Sequence, residues 1–450
     1  MTDPPFGPLP QMITAVPGPA SRALAERLRR VECRNTTYLS DDWPVFWEAA
    51  FGACVRDADG NVYLDFTGAF AVAAVGHTDP AVAAAARDQA GRLIHGMGDV
   101  HPTELKVRLA ETLAEVTPGR LTKSIFSSGG AEAVETALKT AVMRTGRSGV
   151  VAFHGAYHGL GPGSLDATAR KAFRAPFRSG LGRNTVHLPF PTADRGSAAP
   201  VLEQLERLLA HPDTAAEDIG AVLLEPIQGR GGVRIPPGDF LPGLRRICDR
   251  HGLVLILDEI YTGFGRTGRW FACEHDAAVP DLMCVGKAMG GGFPISACIG
   301  TPEVMDAWPP STGEALHTST FLGNPLGCAM ALAAIGQMRR LGLPARSAET
   351  GAAMLADLRR RLSRHALVHD IRGRGMMIGV ELRGPGPDGE RLAGRPAFAA
   401  AKAALRRGLL ILPGGSFGNV ISLAPPLILT REQADAGIAI LDEALAEAAR

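Results

Sequence analysis

The sequence predicts an α/β fold, with a mainly parallel sheet in a large domain and a smaller α+β domain. Two observations carry this prediction. From about residue 79 onward, short runs that are apolar throughout alternate with segments of helical length, which is typical of a parallel sheet covered on both faces. After about residue 330 the texture changes to shorter strands with polar intervals. We therefore expect an N-terminal segment (1–70) that joins the small domain, a large domain (71–330) and a C-terminal small domain (331–450).

Local patterns place the elements in order along the chain. Residues 20–32 have apolar positions at helical spacing, and residues 54–66 predict a hairpin about an Asp-Gly turn. The apolar runs that we expect to form the large sheet are KSIFSS, GVVAF, IGAVLLE, GLVLILDE and DLMCVG. A helix at about 326–341 leads to the small domain, whose strands we expect in IRGRGMMIGVEL and GLLILPGGSFGNVISLAPPLIL. The stretch RGPGPDGERLAGRP between them predicts an exposed loop.

Composition narrows the possible functions. The 450 residues carry a formal net charge of +1, and no Lys/Arg block marks a nucleic-acid surface. No apolar stretch approaches the roughly 20 residues that span a bilayer, and the proline-rich start MTDPPFGPLPQ lacks the layout of a signal peptide. The seven cysteines form no CxxC pair, which favours a reducing compartment. We therefore expect a cytoplasmic protein that binds neither nucleic acid nor membranes.

Three successive apolar runs end in one ionisable residue each: Glu225, Asp258 and Lys287. Because open α/β sheets bind ligands beyond the carboxyl ends of their strands, these side chains should meet at one edge of the sheet. The chain uses 41 arginines but only 6 lysines, so a lysine marks a position that arginine would not serve. Lys287 stands among small residues in GKAMGGG, which leaves room for a bulky group at its amine.

A lysine and an aspartate at adjacent strand ends are the minimum set for pyridoxal phosphate. A lysine amine can form a Schiff base, whereas a guanidinium is too basic to be a nucleophile. An aspartate under the pyridine nitrogen would keep that nitrogen protonated and the ring electron-withdrawing. On this pair alone, a surface lysine beside a helix-capping aspartate stays open as the alternative.

A candidate phosphate-binding segment precedes Asp258 and Lys287 in the sequence. The stretch FSSGGAEAVETALKTAV runs from a strand through Ser128, Gly129 and Gly130 into a helix that begins near Ala131. The free N–H groups and the dipole at the start of a helix attract anions, and the two glycines let the backbone approach one closely. Glycine before a helix is common, so the stretch gains its meaning from Lys287 and Asp258.

Together the motifs SSGGAEAVE, EPIQG, LDEIYTGFGRTG, GKAMGGGFP and STFLGNP resemble the class-III (ω-) aminotransferases, which are pyridoxal-phosphate enzymes of fold type I. The resemblance extends from near residue 54 to near residue 427. It implies a mainly parallel seven-stranded sheet in the large domain, a homodimer with shared active sites, and small-molecule amines and carbonyl compounds as substrates. It also implies that Lys287 holds the cofactor as a Schiff base and moves the proton, while Asp258 pairs with the pyridinium nitrogen.

The resemblance assigns the other cofactor contacts residue by residue. Ile260 would pack on one ring face and Tyr157 on the other. Gly130 and Ala131 would bind the phosphate of the cofactor in their own subunit. Thr320 would reach the phosphate of the cofactor bound in the neighbouring subunit. Tyr261 stands where many members have a glutamine that bonds the ring hydroxyl, and a phenol can make the same hydrogen bond. The predicted cofactor-binding set is completed by Ser128, Gly129, His158 and Glu225.

A charge change in EPIQGRGG concerns the substrate. The 4-aminobutyrate branch has glutamate where this chain has Arg230, and that glutamate pairs with an arginine of the small domain where this chain has Ser422. Because a desolvated charge without its partner is costly, the loss of both together is physically sensible. We expect an amino acceptor without a carboxylate at that spot, and Arg230 either holds the carboxylate of an amino-acid donor or points to solvent.

The motif IHGMGDVHP at 94–102 resembles the branch that aminates the C6′ carbon of gentamicin-type aminoglycosides, which would place the protein in antibiotic biosynthesis. Two other activities stay open on the same scaffold: a 4-aminobutyrate or ω-amino-acid aminotransferase, and an epimerase or racemase. A dinucleotide-binding fold is disfavoured, because no GxGxxG follows the first strand. No metal site is expected, because glycines spoil the helix that His154 and His158 would need to share one ion.

Overall fold

The computed structural model describes residues 6–210, 218–383 and 394–449. The chain divides into two compact units. The large unit is Ala81–Ala345, and the small unit combines Met1–Pro80 with Arg346–Arg450. No helix of the described ranges is long and apolar enough to cross a membrane.

The described ranges contain fifteen strands. They are β1 (Trp47–Phe51), β2 (Cys54–Asp57), β3 (Val62–Asp65), β4 (Lys123–Ser127), β5 (Gly149–Phe153), β6 (Thr185–Leu188), β7 (Ile219–Leu224), β8 (Val254–Asp258), β9 (Leu282–Val285), β10 (Ser296–Gly300), β11 (Val368–Arg374), β12 (Met377–Leu382), β13 (Leu409–Leu410), β14 (Leu412–Gly414) and β15 (Val420–Leu423).

The α-helices of the same ranges number fourteen. They are α1 (Pro19–Val31), α2 (Gly68–Ala71), α3 (Pro80–Ala90), α4 (Glu104–Val116), α5 (Gly130–Thr145), α6 (Pro162–Ala167), α7 (Lys171–Arg174), α8 (Ala199–Ala210), α9 (Phe240–His251), α10 (Pro302–Met305), α11 (Pro325–Arg340), α12 (Leu343–Leu362), α13 (Gly394–Arg406) and α14 (Arg431–Ala448).

The large unit is built on a seven-stranded sheet of order β4-β10-β9-β8-β7-β5-β6. Strand β8 pairs in parallel with β7 and with β9, and β5 pairs in parallel with β6 and β7. Only β10 runs antiparallel to its neighbours β4 and β9. The predicted α/β fold with a mainly parallel seven-stranded sheet is therefore confirmed.

Small side chains bring helix α5 close to this sheet. Ala133, Ala137 and Ala141 of α5 are buried in one hydrophobic cluster with residues of β7 and β8 such as Leu223 and Ile256. Every residue of β7 and of β8 is buried, which explains why these runs are apolar throughout instead of alternating. The core therefore fixes where α5 begins relative to the ends of β7 and β8.

The small unit holds two four-stranded sheets, of order β1-β2-β3-β13 and β11-β12-β15-β14. Strands β2 and β3 form the predicted hairpin, and β13 adds to β3 in parallel. Residues from both ends of the chain therefore share one sheet. Most of the predicted loop RGPGPDGERLAGRP, residues 384–393, lies outside the described residues, and helix α13 begins at its end.

Glu259 ties down the loop that follows strand β8. Its carboxylate is fully buried and accepts the backbone N–H groups of Ala272 (3.0 Å) and Cys273 (2.8 Å) as well as the hydroxyl of Thr262. Burial raises the pKa of this carboxyl. These bonds hold residues 272 and 273 against the end of β8, immediately beside Asp258.

We expect Glu259→Ala to lower the apparent free energy of unfolding by about 3 kcal/mol, because two buried N–H groups lose their acceptor at about 1–3 kcal/mol each. Chemical denaturation followed by circular dichroism measures this loss. The matched control is Glu274→Ala: Glu274 accepts the N–H of Phe271 at 2.8 Å from a half-buried position, so its loss should cost only about 1 kcal/mol. Equal stability of the two variants would contradict the anchoring role of Glu259.

Candidate active site

The three ionisable strand ends lie at one edge of the large sheet. Asp258 is the last residue of β8, Glu225 follows β7 directly, and Lys287 follows β9 after Gly286. Strands β9, β8 and β7 are consecutive and parallel. The structure therefore brings these side chains to the edge at which open α/β sheets bind ligands.

Asp258 is a buried carboxylate held by two donors. Its Oδ2 lies 2.8 Å from Nδ1 of His158, and its Oδ1 accepts the N–H of Ile260 at 3.1 Å. His158 is itself fixed, because Thr168 Oγ1 accepts its backbone N–H at 2.9 Å. Within the described residues, His158 Nε2 is buried without a hydrogen-bond partner. The contact of His158 Nδ1 therefore orients the Asp258 carboxylate, which retains lone pairs for a further donor.

Lys287 occupies an unusual backbone conformation, with a φ of 45°. Its Nζ lies 4.7 Å from the centre of the Tyr261 ring. Burial lowers the pKa of this amine, while the carboxylates of Asp258 and Glu225 oppose the shift and the charge of Arg230 adds to it. A neutral amine, the form able to attack a carbonyl carbon, is therefore easier to reach than in an exposed lysine.

Glu225 joins two loops of the site. Its Oε1 accepts the N–H of Tyr157 at 3.0 Å, and its Oε2 accepts the N–H of Gly229 at 2.8 Å. Burial raises the pKa of this carboxyl. Gly229 in turn lies against Tyr261, since a Cβ added at Gly229 would stand 3.2 Å from that ring. Glu225 therefore sets the position of Tyr157 relative to the EPIQGRGG loop.

The start of helix α5 is open on one side. Glu132 Oε2 accepts the N–H of Ser128 at 2.8 Å and that of Gly129 at 3.4 Å, while Ser296 Oγ donates to the Gly129 carbonyl at 2.8 Å. The N–H groups of Gly130 and Ala131 begin the helix and have no acceptor within it. They are the donors left for an anion, whereas those of Ser128 and Gly129 are engaged.

Space at the two glycines differs. A Cβ at Gly129 would meet nothing within 4 Å, while a Cβ at Gly130 would stand 3.0 Å from Cδ1 of Ile260. Gly129 therefore faces open space. Gly130 lets the helix start pack directly on Ile260, the residue predicted to cover one face of a bound ring.

Arg230 lies against the other predicted ring-face residue. Its guanidinium carbon is 4.8 Å from the centre of the Tyr157 ring and 5.6 Å from that of Phe173, and the two rings meet edge to face at 5.7 Å. Arg230 is exposed, and among the described residues it makes no ion pair of 4.0 Å or less. The guanidinium is therefore held by aromatic faces and not by a carboxylate.

Thr320 and Ser422 are described by the contacts of their own segments. Thr320 is exposed in the single chain. Its segment is tied to another loop by Thr318, whose hydroxyl donates to Asp99 Oδ2 at 2.6 Å. Ser422 belongs to the small unit, on β15, where it pairs with Gly379 and Leu412. The roles predicted for Thr320 and Ser422 stay predictions.

Lys106 is a half-buried residue whose contacts the sequence did not reveal. Its Nζ donates to the Gly98 carbonyl at 2.6 Å, and a Cβ at Gly323 would stand 2.8 Å from its Cδ. Burial lowers the pKa of this amine. Lys106 therefore joins the segment around Gly98 to the segment that carries Thr320. The scarcity of lysine was the one sequence signal that pointed to it.

Comparison with known proteins identifies the architecture. The family model described as aminotransferase class-III matches residues 38–445. An amine transaminase from an uncultivated Pseudomonas species, solved with PLP bound, is 30% identical with a TM-score of 0.84, covering 93% of this chain and 98% of that one. An (S)-enantioselective omega-transaminase from Thermomicrobium roseum is 28% identical (TM-score 0.87; 97% and 100% covered). The ornithine aminotransferase of Toxoplasma gondii is also 28% identical (TM-score 0.82; 94% of each chain).

We expect His158→Leu to weaken retention of pyridoxal phosphate by roughly tenfold or more, because a hydrogen bond to a charged group contributes about 1.5–3 kcal/mol. His158→Asn should recover most of the loss, since its amide N–H can replace the Nδ1 donor. Equilibrium dialysis gives the dissociation constant, and the pH dependence of the bound cofactor's absorbance reports on Asp258.

The matched control for this prediction is His154→Leu. His154 is exposed and stacks on His187 with ring centres 6.0 Å apart. Retention that falls equally in the His154 and His158 variants, or that is not recovered by asparagine, would refute the positioning role of His158.

Proposed function

The chain belongs to the class-III aminotransferase family, and on that premise we propose that it transfers an amino group from a glutamate-like amino acid to an aldehyde or ketone without the usual carboxylate. The acceptor class that we propose is an oxidised amino sugar, such as the C6′ position of an aminoglycoside intermediate. The enzyme is a pyridoxal-phosphate aminotransferase. The observation that carries the donor proposal is the guanidinium of Arg230 over the Tyr157 ring, 4.8 Å from its centre.

The residues of the site fit pyridoxal phosphate. The open space at Gly129 and the unengaged N–H groups of Gly130 and Ala131 suit the phosphate. The buried Asp258, braced by His158, suits a protonated ring nitrogen. When bound, the cofactor supplies a ring that withdraws electrons from the amine-bearing carbon of the substrate.

The chain's own groups then have separate tasks. Lys287 would hold the cofactor through its amine and afterwards, as a neutral base, carry the proton at the substrate carbon. Asp258 would keep the ring nitrogen protonated, because a buried carboxylate held by His158 stabilises the adjacent positive charge. Ile260 and Tyr157 would cover the two ring faces and exclude water, and the phenol of Tyr261 would bond the ring hydroxyl.

Arg230 supports binding of an anionic donor. Burial lowers the pKa of Lys287, and the charge of Arg230 adds to that shift. Burial raises the pKa of Tyr261, and the charge of Arg230 opposes that rise. A substrate carboxylate bound to Arg230 would offset the positive charge that disfavours the Lys287 ammonium. A guanidinium can present two parallel N–H groups to such a carboxylate, and that of Arg230 is held 4.8 Å from the centre of the Tyr157 ring.

We also propose that the active enzyme is a homodimer with shared sites. Six large apolar side chains on the segments around Thr320 and Gly98 are exposed in the single chain, and they are Leu93, Ile94, Met97, Val100, Leu316 and Phe321. A group of this kind is typical of a protein interface. A second copy that covered it would also cover Thr320, which would then be placed to reach the neighbouring phosphate.

A cofactor half-reaction tests the proposed substrates. We expect L-glutamate to bleach the absorbance of the enzyme-bound cofactor, and a 6′-amino aminoglycoside of the gentamicin type to do so in the reverse direction. Arg230→Ala should raise the glutamate KM by about tenfold or more, since it removes a charge-assisted bond. An unchanged glutamate KM would remove the donor role of Arg230.

The same experiment separates the competing activities. Bleaching by glutamate and 4-aminobutyrate, with none by the aminoglycoside, would indicate an ω-amino-acid aminotransferase. Exchange of the substrate's α-hydrogen with solvent deuterium, without consumption of an amino donor, would indicate an epimerase.

Mixed dimers test the shared site. Lys287→Ala and Thr320→Ala chains should each have low activity as homodimers. Co-expression should restore activity, because a mixed dimer would contain one site with an intact Lys287 and the partner's intact Thr320. Co-expression that gives only the sum of the two parent activities would contradict the role of Thr320 across the interface. Light scattering on each sample checks that dimers form.

A further inference from the structure

The aromatic ring of Tyr261 faces the amine of Lys287. Nζ lies 4.7 Å from the ring centre, within the range of about 6 Å at which a cation is attracted to an aromatic face. Both residues are half-buried, and such an attraction strengthens as water is excluded. In the part of the chain that the structure describes, no ion pair of 4.0 Å or less involves Lys287. The amine thus meets a ring face and is not paired directly with a carboxylate.

Two loops fix the position of this ring. The N–H of Gly263 donates to the Glu259 carbonyl at 2.9 Å, which closes the turn that carries Tyr261. Gly229 is buried and packs against the ring, since a Cβ added there would stand 3.2 Å from Cδ1 of Tyr261. Gly229 is in turn held by Glu225, which accepts its N–H at 2.8 Å. The ring is therefore held both by the turn after β8 and by the EPIQGRGG loop.

The ring presents a neutral aromatic face. Burial raises the pKa of the Tyr261 phenol, Glu225 adds to the rise, and the charges of Arg266 and Arg230 oppose it. A protonated phenol carries no charge, so its attraction for a cation comes from the electron-rich face of the ring. A glutamine at this position would offer no such face.

Lys287 needs both of its protonation states in the proposed function. As a neutral amine it attacks a carbonyl carbon, and as an ammonium it holds the proton between removal from the substrate carbon and return. Burial and the charge of Arg230 lower the pKa of this amine, while Asp258 and Glu225 oppose the shift. The face of Tyr261 adds a further contact that stabilises the ammonium.

We infer that the ring face of Tyr261 is a positioning contact for Nζ of Lys287, one that holds the amine beside the ring and favours its protonated form. The inference rests on the proposed function of Lys287 and deepens it. It gives Tyr261 a second task besides the bond that its phenol is predicted to make with the ring hydroxyl of the cofactor. The two tasks use different atoms, so substitutions can separate them.

Competitive labelling of the full chain without cofactor measures the proton affinity of Lys287. Trace acetic anhydride reacts with neutral amines, and peptide mass spectrometry follows each of the six lysines of the chain across a pH series. We expect Lys287 to bind its proton about fivefold or more weakly in Tyr261→Gln and in Tyr261→Leu, because both lose the ring face. Its labelling midpoint should move to lower pH. Tyr261→Phe keeps the face and should keep the midpoint of the wild type.

Phe398→Leu is the matched control. The ring of Phe398 lies 4.8 Å from Nζ of Lys402 in the small unit, so its loss removes an aromatic face from a different lysine and should leave Lys287 unchanged. Equal falls in Tyr261→Phe and Tyr261→Gln would mean that the phenol oxygen, and not the ring face, acts on the amine. That result, or an unchanged Lys287 in Tyr261→Gln, overturns the inference. Circular dichroism checks the fold of each variant, and Tyr261→Gln and Tyr261→Leu are independent of each other.

Borohydride reduction of the holoenzyme separates this inference from the proposed function. Reduction fixes the cofactor on the lysine that holds it, and peptide mapping identifies that lysine. Cofactor fixed on a lysine other than Lys287 would refute the proposed function of Lys287 and, with it, the second task of Tyr261. Cofactor fixed on Lys287, together with unchanged labelling in Tyr261→Gln, would overturn the inference alone.

Discussion

The buried contact between Asp258 and His158 is the constraint on which the rest of the site depends. A carboxylate removed from water stays ionised only if donors surround it. Asp258 finds two, at 2.8 Å from His158 and 3.1 Å from the N–H of Ile260. The first donor comes from the loop after β5 and the second from the chain just beyond β8. Both contacts of Asp258 therefore form only when the two segments are correctly placed.

Glu225 holds the substrate side of the site in the same way. It is a second buried carboxylate whose partners are backbone N–H groups of Tyr157 and Gly229. Tyr157 is adjacent to His158 in sequence, so the two carboxylates hold consecutive residues of one loop. The aromatic face under Arg230 is thereby fixed to the same framework that orients Asp258.

The sequence predicted the sheet and the edge at which the site lies, because apolar runs of strand length and their terminal ionisable residues are local signals. It did not reveal which residues those carboxylates contact. The bonds from Asp258 to His158 and from Glu225 to Tyr157 join residues far apart in the chain, and their partners are chosen only when β5, β7 and β8 pair. The anchoring role of Glu259 was hidden for the same reason, since its acceptors serve a loop that returns from residues 272 and 273.

The backbone of Lys287 sets stability and activity against each other at one residue. A side chain in the left-handed region costs roughly 1–2 kcal/mol, and Lys287 has a φ of 45°. Glycine would remove most of this conformational cost, although its greater freedom in the unfolded chain would cancel part of the gain in stability. The more stable residue here is thus one that lacks the amine. Selection for folding alone would move this position away from lysine, so its presence reflects selection for chemistry.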